Sequence, residues 1–142
     1  MKACESKYAQ CLYFSSNALA RKIEKLANES WKETGLSPSH AYLLMLVLDD
    51  PGIQPTALVE QLLLSPSTIT RLMDKLETKK LIIRTTGGKS TNVYPTPKAK
   101  ALHPQMKQCL DHFYKAYSEL AGKDDSSRLV QQMNKVADKL PG

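Results

Sequence analysis

No stretch of about 18 uncharged apolar residues occurs in this 142-residue chain, so no segment reads as a membrane-spanning helix. The opening Met1-Lys2-Ala3-Cys4-Glu5-Ser6-Lys7 has no apolar run and no small-residue cleavage pattern, and a cytoplasmic protein is expected. Cysteine is scarce. Cys4, Cys11 and Cys109 are an odd set that cannot close a disulfide framework, which points to reduced thiols. His40, His103 and His112 are scattered and complete no Cys/His set of zinc-ligand spacing, and no glycine-rich phosphate loop is present. No metal and no cofactor are therefore expected, and the familiar enzyme motifs are missing. Internal repeats and low-complexity segments are missing too. A single domain with a real core is the expectation for a chain of this size that is 42% apolar.

What the chain does have is a concentrated positive charge. The whole carries a formal +6, and residues 65–100 alone carry the equivalent of that excess. Arg71, Lys75, Lys79, Lys80, Arg84, Lys89, Lys98 and Lys100 are opposed there by only Asp74 and Glu77. Residues 35–64, by contrast, hold no basic side chain. Concentration of this kind suggests a polyanionic partner, the alternative being a solvated lysine face.

The periodicity predicts helices with hairpin punctuation. Leu12, Leu19, Ile23, Leu26 and Trp31 recur at helical spacing and predict a helix over 7–33, stopped by Gly35. Ser37-Pro38 supplies a cap and a first-turn proline for a helix that is apolar nearly all round, Ala41 to Leu48, and so buried on most sides. Asp49-Asp50-Pro51-Gly52 ends it. A short helix follows from Gln54-Pro55, and Ser65-Pro66 repeats the cap-plus-proline start. In that next helix Ile69, Leu72, Met73 and Leu76 fall at i, i+3, i+4, i+7. Ser67, Arg71, Asp74 and Thr78 then point the other way, flanked by Thr70 and Lys75. Residues 81–95 switch to strand character around Gly87-Gly88, a pair suited to a tight hairpin turn, and Pro95 predicts an edge for the second strand. Thr96-Pro97 opens another long helix, to about Ala121, with Pro104 inside it. Asp124-Asp125-Ser126 is the expected cap of a last one, which carries Leu129, Val130, Met133, Val136, Ala137 and Leu140 on one face.

The fold class implied is mainly α with a small β-hairpin: a winged helix-turn-helix over 37–96, flanked by terminal helices at 1–36 and 97–142 within one domain, 1–142. A capped helix suits the major groove, where its first turns reach base edges and its free N–H groups meet phosphate. Ser67, Thr70, Arg71 and Lys75 are the candidates for base and phosphate contact. Arg71 is the foremost, because arginine grips guanine with two hydrogen bonds. Ser65 and Thr68 are expected to cap the helix or touch phosphate. The terminal helices are longer than a small lobe can cover, so their stripes are expected to pack across a two-fold axis in a homodimer, the alternative being a monomeric helical cap.

The stretch from Leu62-Leu63-Leu64-Ser65-Pro66 through Thr70-Arg71-Leu72-Met73-Asp74-Lys75-Leu76-Glu77 to Leu81-Ile82-Ile83-Arg84 resembles the recognition helix and first wing strand of the MarR family of bacterial transcription regulators. Ser37-Pro38-Ser39-His40-Ala41-Tyr42 resembles the opening of that family's second helix, and Thr96-Pro97-Lys98-Ala99 its Thr-x-Lys-Gly after the wing, with alanine for glycine. The resemblance implies a dimeric, sequence-specific double-stranded DNA-binding regulator. It further implies a repressor, released from a pseudo-palindromic operator by a small-molecule signal. The wing departs from the pattern: its tip is Gly87-Gly88-Lys89-Ser90, without the usual acidic residue and arginines. That leaves Arg84, Lys89 and Ser90 for backbone contact. Small lipophilic or phenolic ligands of the family make Tyr13, Trp31, His40 and Tyr42 candidates for a ligand cleft, with ordinary packing as the alternative. Peroxide-sensing members make Cys11 a redox candidate, although a buried, inert thiol is the favoured reading. Two rival classes are a winged-helix module for protein or RNA, and an enzyme, against which the lack of a convergent catalytic set argues.

Overall fold

The computed structural model describes residues 1–142. Six helices and one hairpin follow in the order α1 (Leu12–Trp31), α2 (Pro38–Asp49), α3 (Pro55–Leu62), α4 (Pro66–Thr78), β1 (Ile82–Gly87), β2 (Ser90–Pro95), α5 (Pro97–Ala121) and α6 (Lys123–Lys139). The expected fold class is the observed one. No helix is long and apolar enough to cross a membrane.

Two compact units divide the chain, Trp31–Cys109 and the pair Met1–Ser30 with Leu110–Gly142. The lobe thus extends beyond 37–96. The reason is packing: Trp31, Leu36, Ala99, Met106 and Cys109 join Leu43, Leu44, Val47, Leu58, Ile69, Leu76, Ile82 and Val93 in one buried cluster. Each of the α4 stripe residues Ile69, Leu72, Met73 and Leu76 is buried, as its spacing requires.

Caps fix where the lobe's helices begin. Ser37 accepts the His40 amide at the start of α2, and Ser65 accepts the Thr68 amide at the start of α4. Thr96 does two things at once. Its Oγ1 donates to the Lys80 carbonyl at 2.7 Å and accepts from the Ala99 amide at 3.2 Å, so one side chain caps α5 and pins the turn after α4. Gly35 ends the first helical stretch in the left-handed region at φ 73°.

Four local readings need correction. The first helix starts at Leu12, not residue 7, because the Ser6 hydroxyl takes the Tyr8 amide in a local turn that competes with helix. The hairpin pairs Gly87 with Ser90, so its central residues are Gly88, at φ 65°, and Lys89. The strand β2 is not a free edge throughout. Val93 exchanges backbone hydrogen bonds with Gly52 and Ile53 on the side away from β1. Finally, α6 is capped by Gly122 with no side-chain bond, and Ser126 lies inside it.

The other unit contains most of α1, the end of α5, and α6. Phe113 and Ala27 are buried there. A large apolar face is not. Leu12 is 63% exposed, Met133 49% and Leu140 58%, and with Leu19, Ile23, Leu129 and Val136 they line a groove of about 860 Å³.

Candidate nucleic-acid interface

The exposed face of α4 carries the candidate contacts, and the buried stripe on its other side decides their direction. Ser65, Ser67, Thr70, Arg71 and Lys75 are exposed, and Thr68 is half-buried. A hydroxyl chain runs along the first turn: Ser65 Oγ lies 3.2 Å from Ser67 Oγ and 2.9 Å from Thr68 Oγ1. Arg71 donates from one terminal nitrogen to Thr68 Oγ1 at 3.3 Å, which draws its guanidinium toward the capped N-terminal end. Thr70 instead turns its hydroxyl back to the Pro66 carbonyl at 3.0 Å. Donors and the positive end of the helix dipole thus gather at one tip.

The eight basic side chains of residues 65–100 separate into two kinds. Lys79 Nζ donates to the Gly35 carbonyl at 3.0 Å, and Lys98 Nζ to the Lys79 carbonyl at 2.9 Å. Both stabilise the turn after α4. Lys75, Lys80, Lys89 and Lys100 are exposed and make no hydrogen bond or ion pair within the chain. With Arg71 they form the positive charge offered to solvent.

Arg84 has a different place from the one its sequence position suggests. Its guanidinium meets Asp74 Oδ1 at 2.8 Å and Glu77 Oε2 at 3.0 Å, so it straps the first wing strand to α4. It also engages both of the acidic side chains in the basic stretch, offsetting one of their two charges. Lys89 stands exposed at the wing tip, with Ser90 half-buried beside it. The hydrogen bond from Arg84 holds the Glu77 carboxyl below its ordinary value of 4.5, and its charge adds to the effect. The folded carboxyl therefore binds its proton more weakly than the unfolded one. The strap contributes stability above pH 4.5 and loses it as pH falls through the lower folded value. Arg84→Gln should cost below about 1 kcal/mol at neutral pH, since the pair is half-exposed. As pH falls from 4.5 through the lower folded value the variant and parent should converge in urea melts, and a gap undiminished below that value would show that the strap is not ionic.

The candidate ligand residues are not one cluster. Trp31 is fully buried, and its ring meets that of Tyr42 edge-on at 6.0 Å. Its Nε1 has no hydrogen-bond partner. His40 is half-buried, with Nδ1 bonded to Ser37 Oγ. Burial first, then Lys75 and Lys79, push its pKa down, so neutral imidazole is favoured beside the basic helix. Tyr13 belongs to the other unit and is 79% exposed. Cys11 is exposed and not buried, as is Cys4; the buried thiol is Cys109, which burial and then Glu33 push up. The expectation of a buried Cys11 failed because α1 begins after it. Two contributors were missed from sequence: the Arg84 strap, and the Thr96 hydroxyl that fixes the turn between α4 and the wing. An arginine seven residues beyond Glu77, across a strand start, was the available signal for the first.

Comparison with known proteins agrees with this geometry. A family model described as MarR family matches residues 34–89. The HTH-type transcriptional repressor MdtR of Bacillus subtilis (strain 168) is 29% identical over 82 residues, 58% of this chain. The match spans about half of that relative's length, 53%. Among solved structures, the transcriptional repressor CouR, known from Rhodococcus jostii RHA1, is similar along nearly the whole chain. Bound to p-coumaroyl-CoA it superposes with a TM-score of 0.85 at 18% identity, covering 96% of this chain and 98% of that one. Bound to a 23-mer DNA duplex it gives 0.82 at 20%, covering 94% and 99%. The matched stretch lies on the helices and wing just described, and the likeness of fold continues through both terminal regions: over residues 34–89 the chain is similar to the MarR family, and its fold is that of the winged helix-turn-helix structures it superposes on.

Proposed function

We propose that this protein is a sequence-specific double-stranded DNA-binding transcription regulator, a cytoplasmic homodimeric repressor whose affinity for a pseudo-palindromic operator is lowered by a small-molecule signal. One observation carries the reading. The face of α4 opposite the buried stripe presents Ser67, Thr70, Arg71 and Lys75 beside a capped, hydroxyl-lined helix start. That is the arrangement a recognition helix needs in the major groove. The repressor name of MdtR and the DNA-bound form of CouR support it. The uncovered apolar face of α1 and α6 supports a second copy of the chain as the partner, because monomers rarely expose such a patch. No reaction is assigned. Selection from a random duplex pool should enrich a two-fold site with half-sites about one helical turn apart. Failure to enrich, with binding to RNA or protein instead, would overturn the reading.

Arg84 enters this scheme as a positioning residue, and Lys89 as the phosphate contact of the wing. Lys89→Ala should weaken binding evenly across DNA sequences and make the salt dependence shallower by about one counterion per protomer. A loss confined to certain sequences would mean that the wing reads bases.

The signal is read as a small lipophilic or phenolic compound, in keeping with the p-coumaroyl-CoA complex of CouR. Only a ligand with different affinities for the DNA-competent and released states can act so. Phenolic acids that stabilise the protein in thermal shift should lower operator affinity by ~1–3 kcal/mol without dissociating the dimer. A stabilising compound that leaves operator affinity unchanged would sink the coupling. Loss of binding with peroxide alone, restored by Cys11→Ser, would place the signal at the exposed Cys11 thiol instead.

A further inference from the structure

Three leucines in a row, Leu62-Leu63-Leu64, join α3 to α4. Leu62 and Leu64 are half-buried and pack against the core of the lobe. Leu63 does not. It is 89% exposed, more than any other large apolar side chain except that of Met1. Between Ile23 and Ile83 no other large apolar side chain is exposed.

The backbone makes that exposure unusual. Leu63 is the C-cap of α3, at φ 54° and ψ 39°. Left-handed backbone crowds Cβ against the following carbonyl, so such a position favours glycine or asparagine. One other non-glycine residue has positive φ, Lys80, and its carbonyl takes the Thr96 hydroxyl. A single exposed leucine on relaxed backbone calls for no explanation. A leucine that disfavours its own turn and packs on nothing contributes no stability to the free chain. Its use lies in what it meets outside.

Its place says what that is. Leu63 stands two residues before Ser65, the N-cap of α4. The rest of that tip is hydrophilic: the Ser65, Ser67 and Thr68 hydroxyls are joined by hydrogen bonds, and Arg71 is drawn toward them. No acidic residue occurs between Glu60 and Asp74. An apolar side chain set beside hydroxyl and guanidinium donors, with no acid near in sequence, complements a surface that alternates anionic oxygen with hydrocarbon. Duplex DNA is such a surface, with phosphates beside deoxyribose carbons and thymine methyl groups.

We infer that Leu63 is an apolar DNA contact at the front of α4, packing on a deoxyribose or a thymine methyl beside the phosphate met by the hydroxyl tip. The inference rests on the DNA-binding reading above and adds to it a residue outside the helix. A leucine neutralises no phosphate, so the affinity it carries is not screened by salt.

Fluorescence anisotropy on the operator found by duplex selection, at several salt concentrations, tests this with the intact protein. Leu63→Asn and Leu63→Gly suit the left-handed turn, so the unfolding midpoint of the free protein should stay or rise. Both should bind the operator about tenfold more weakly, since two leucines lose their cover in a two-fold complex, with the salt slope unchanged. Leu63→Met keeps the apolar reach and should bind within about twofold of the parent. The same operator with deoxyuridine for thymidine locates the contact. A uracil penalty larger in the parent than in Leu63→Asn assigns the thymine methyl, and equal penalties assign the deoxyribose. The inference is overturned if the asparagine and glycine variants bind as tightly as the parent, or if the methionine variant is as weak as they are. A loss that comes with a lowered midpoint or an altered salt slope would overturn it too, because Leu63 would then act through the fold. A parent that selects no duplex would instead overturn the DNA-binding reading itself, and this contact with it.

Discussion

Arg71→Ala is expected to abolish sequence-specific DNA binding while leaving the protein folded and dimeric. The side chain is exposed and lies opposite Ile69, Leu72, Met73 and Leu76, so its removal opens no cavity. Within the chain it loses one exposed hydrogen bond, to Thr68 Oγ1 at 3.3 Å, which changes stability by a few tenths of a kcal/mol at most. In the groove the loss is of another size. A bidentate arginine–guanine contact contributes ~1–3 kcal/mol of discrimination per half-site, and a two-fold dimer feels it twice. Residual binding should be weak, indifferent to sequence and steeply salt-dependent, because the exposed positive charges of Lys75, Lys80 and Lys89 remain. Fluorescence anisotropy on the selected operator and on a scrambled duplex separates the two components. If the variant keeps the parent's preference for the operator, α4 is not the reading helix.

Met133→Asp should have the second large effect, on assembly. Met133 is half-exposed in the single chain and sits mid-way along an α6 face with Leu129, Val136 and Leu140, all open to solvent. Its neighbours across the groove are Leu12, Leu19 and Ile23 of α1. In a monomer an aspartate there costs almost nothing, since water already reaches it. In a dimer that covers this face, a carboxylate would be buried without a partner, which costs several kcal/mol. The variant should therefore sediment as a monomer with an intact helical spectrum. Joining two binding modules raises avidity by ~10²–10⁴, so operator affinity should fall by at least about a hundredfold. A variant that remains dimeric would locate the interface elsewhere.

Helix α4 was legible because three local signals coincide on it. Ser65-Pro66 fixes its start, the i, i+3, i+4, i+7 stripe fixes its buried side, and the surrounding basic residues fix its chemistry. Each depends only on residues within two or three turns of one another, which is the range over which spacing alone determines orientation. The hairpin was legible for the same reason, although its register was not. Both Gly87 and Gly88 tolerate the required backbone, and the choice of Gly88-Lys89 as the turn came from strand pairing as far away as Ile82 with Pro95.

Side-chain partnerships that cross elements were not legible. Arg84 reads as a cation near a wing, yet Asp74 and Glu77 lie on the face of α4 that the strand passes, and Coulomb attraction at 2.8–3.0 Å settles its role. Lys79 and Lys98 read as polyanion contacts, but their ammonium groups are drawn to backbone carbonyls left over at helix ends, Lys79 to Gly35 after the first helical stretch and Lys98 to Lys79 after α4. Cys11 and Ser126 were misplaced by helix starts that shifted by a few residues.

The sequence by itself thus determined the helices, the hairpin, the buried stripe of α4 and the location of the positive charge, because periodicity and composition are properties of neighbours along the chain. Only the tertiary structure decided which of those charges remain available, that Trp31 and Met106 belong to the lobe, that the α6 stripe is left uncovered, and that Ser126 is buried without a partner. Those outcomes depend on what residues remote in sequence bring to the same place, and no spacing rule encodes that.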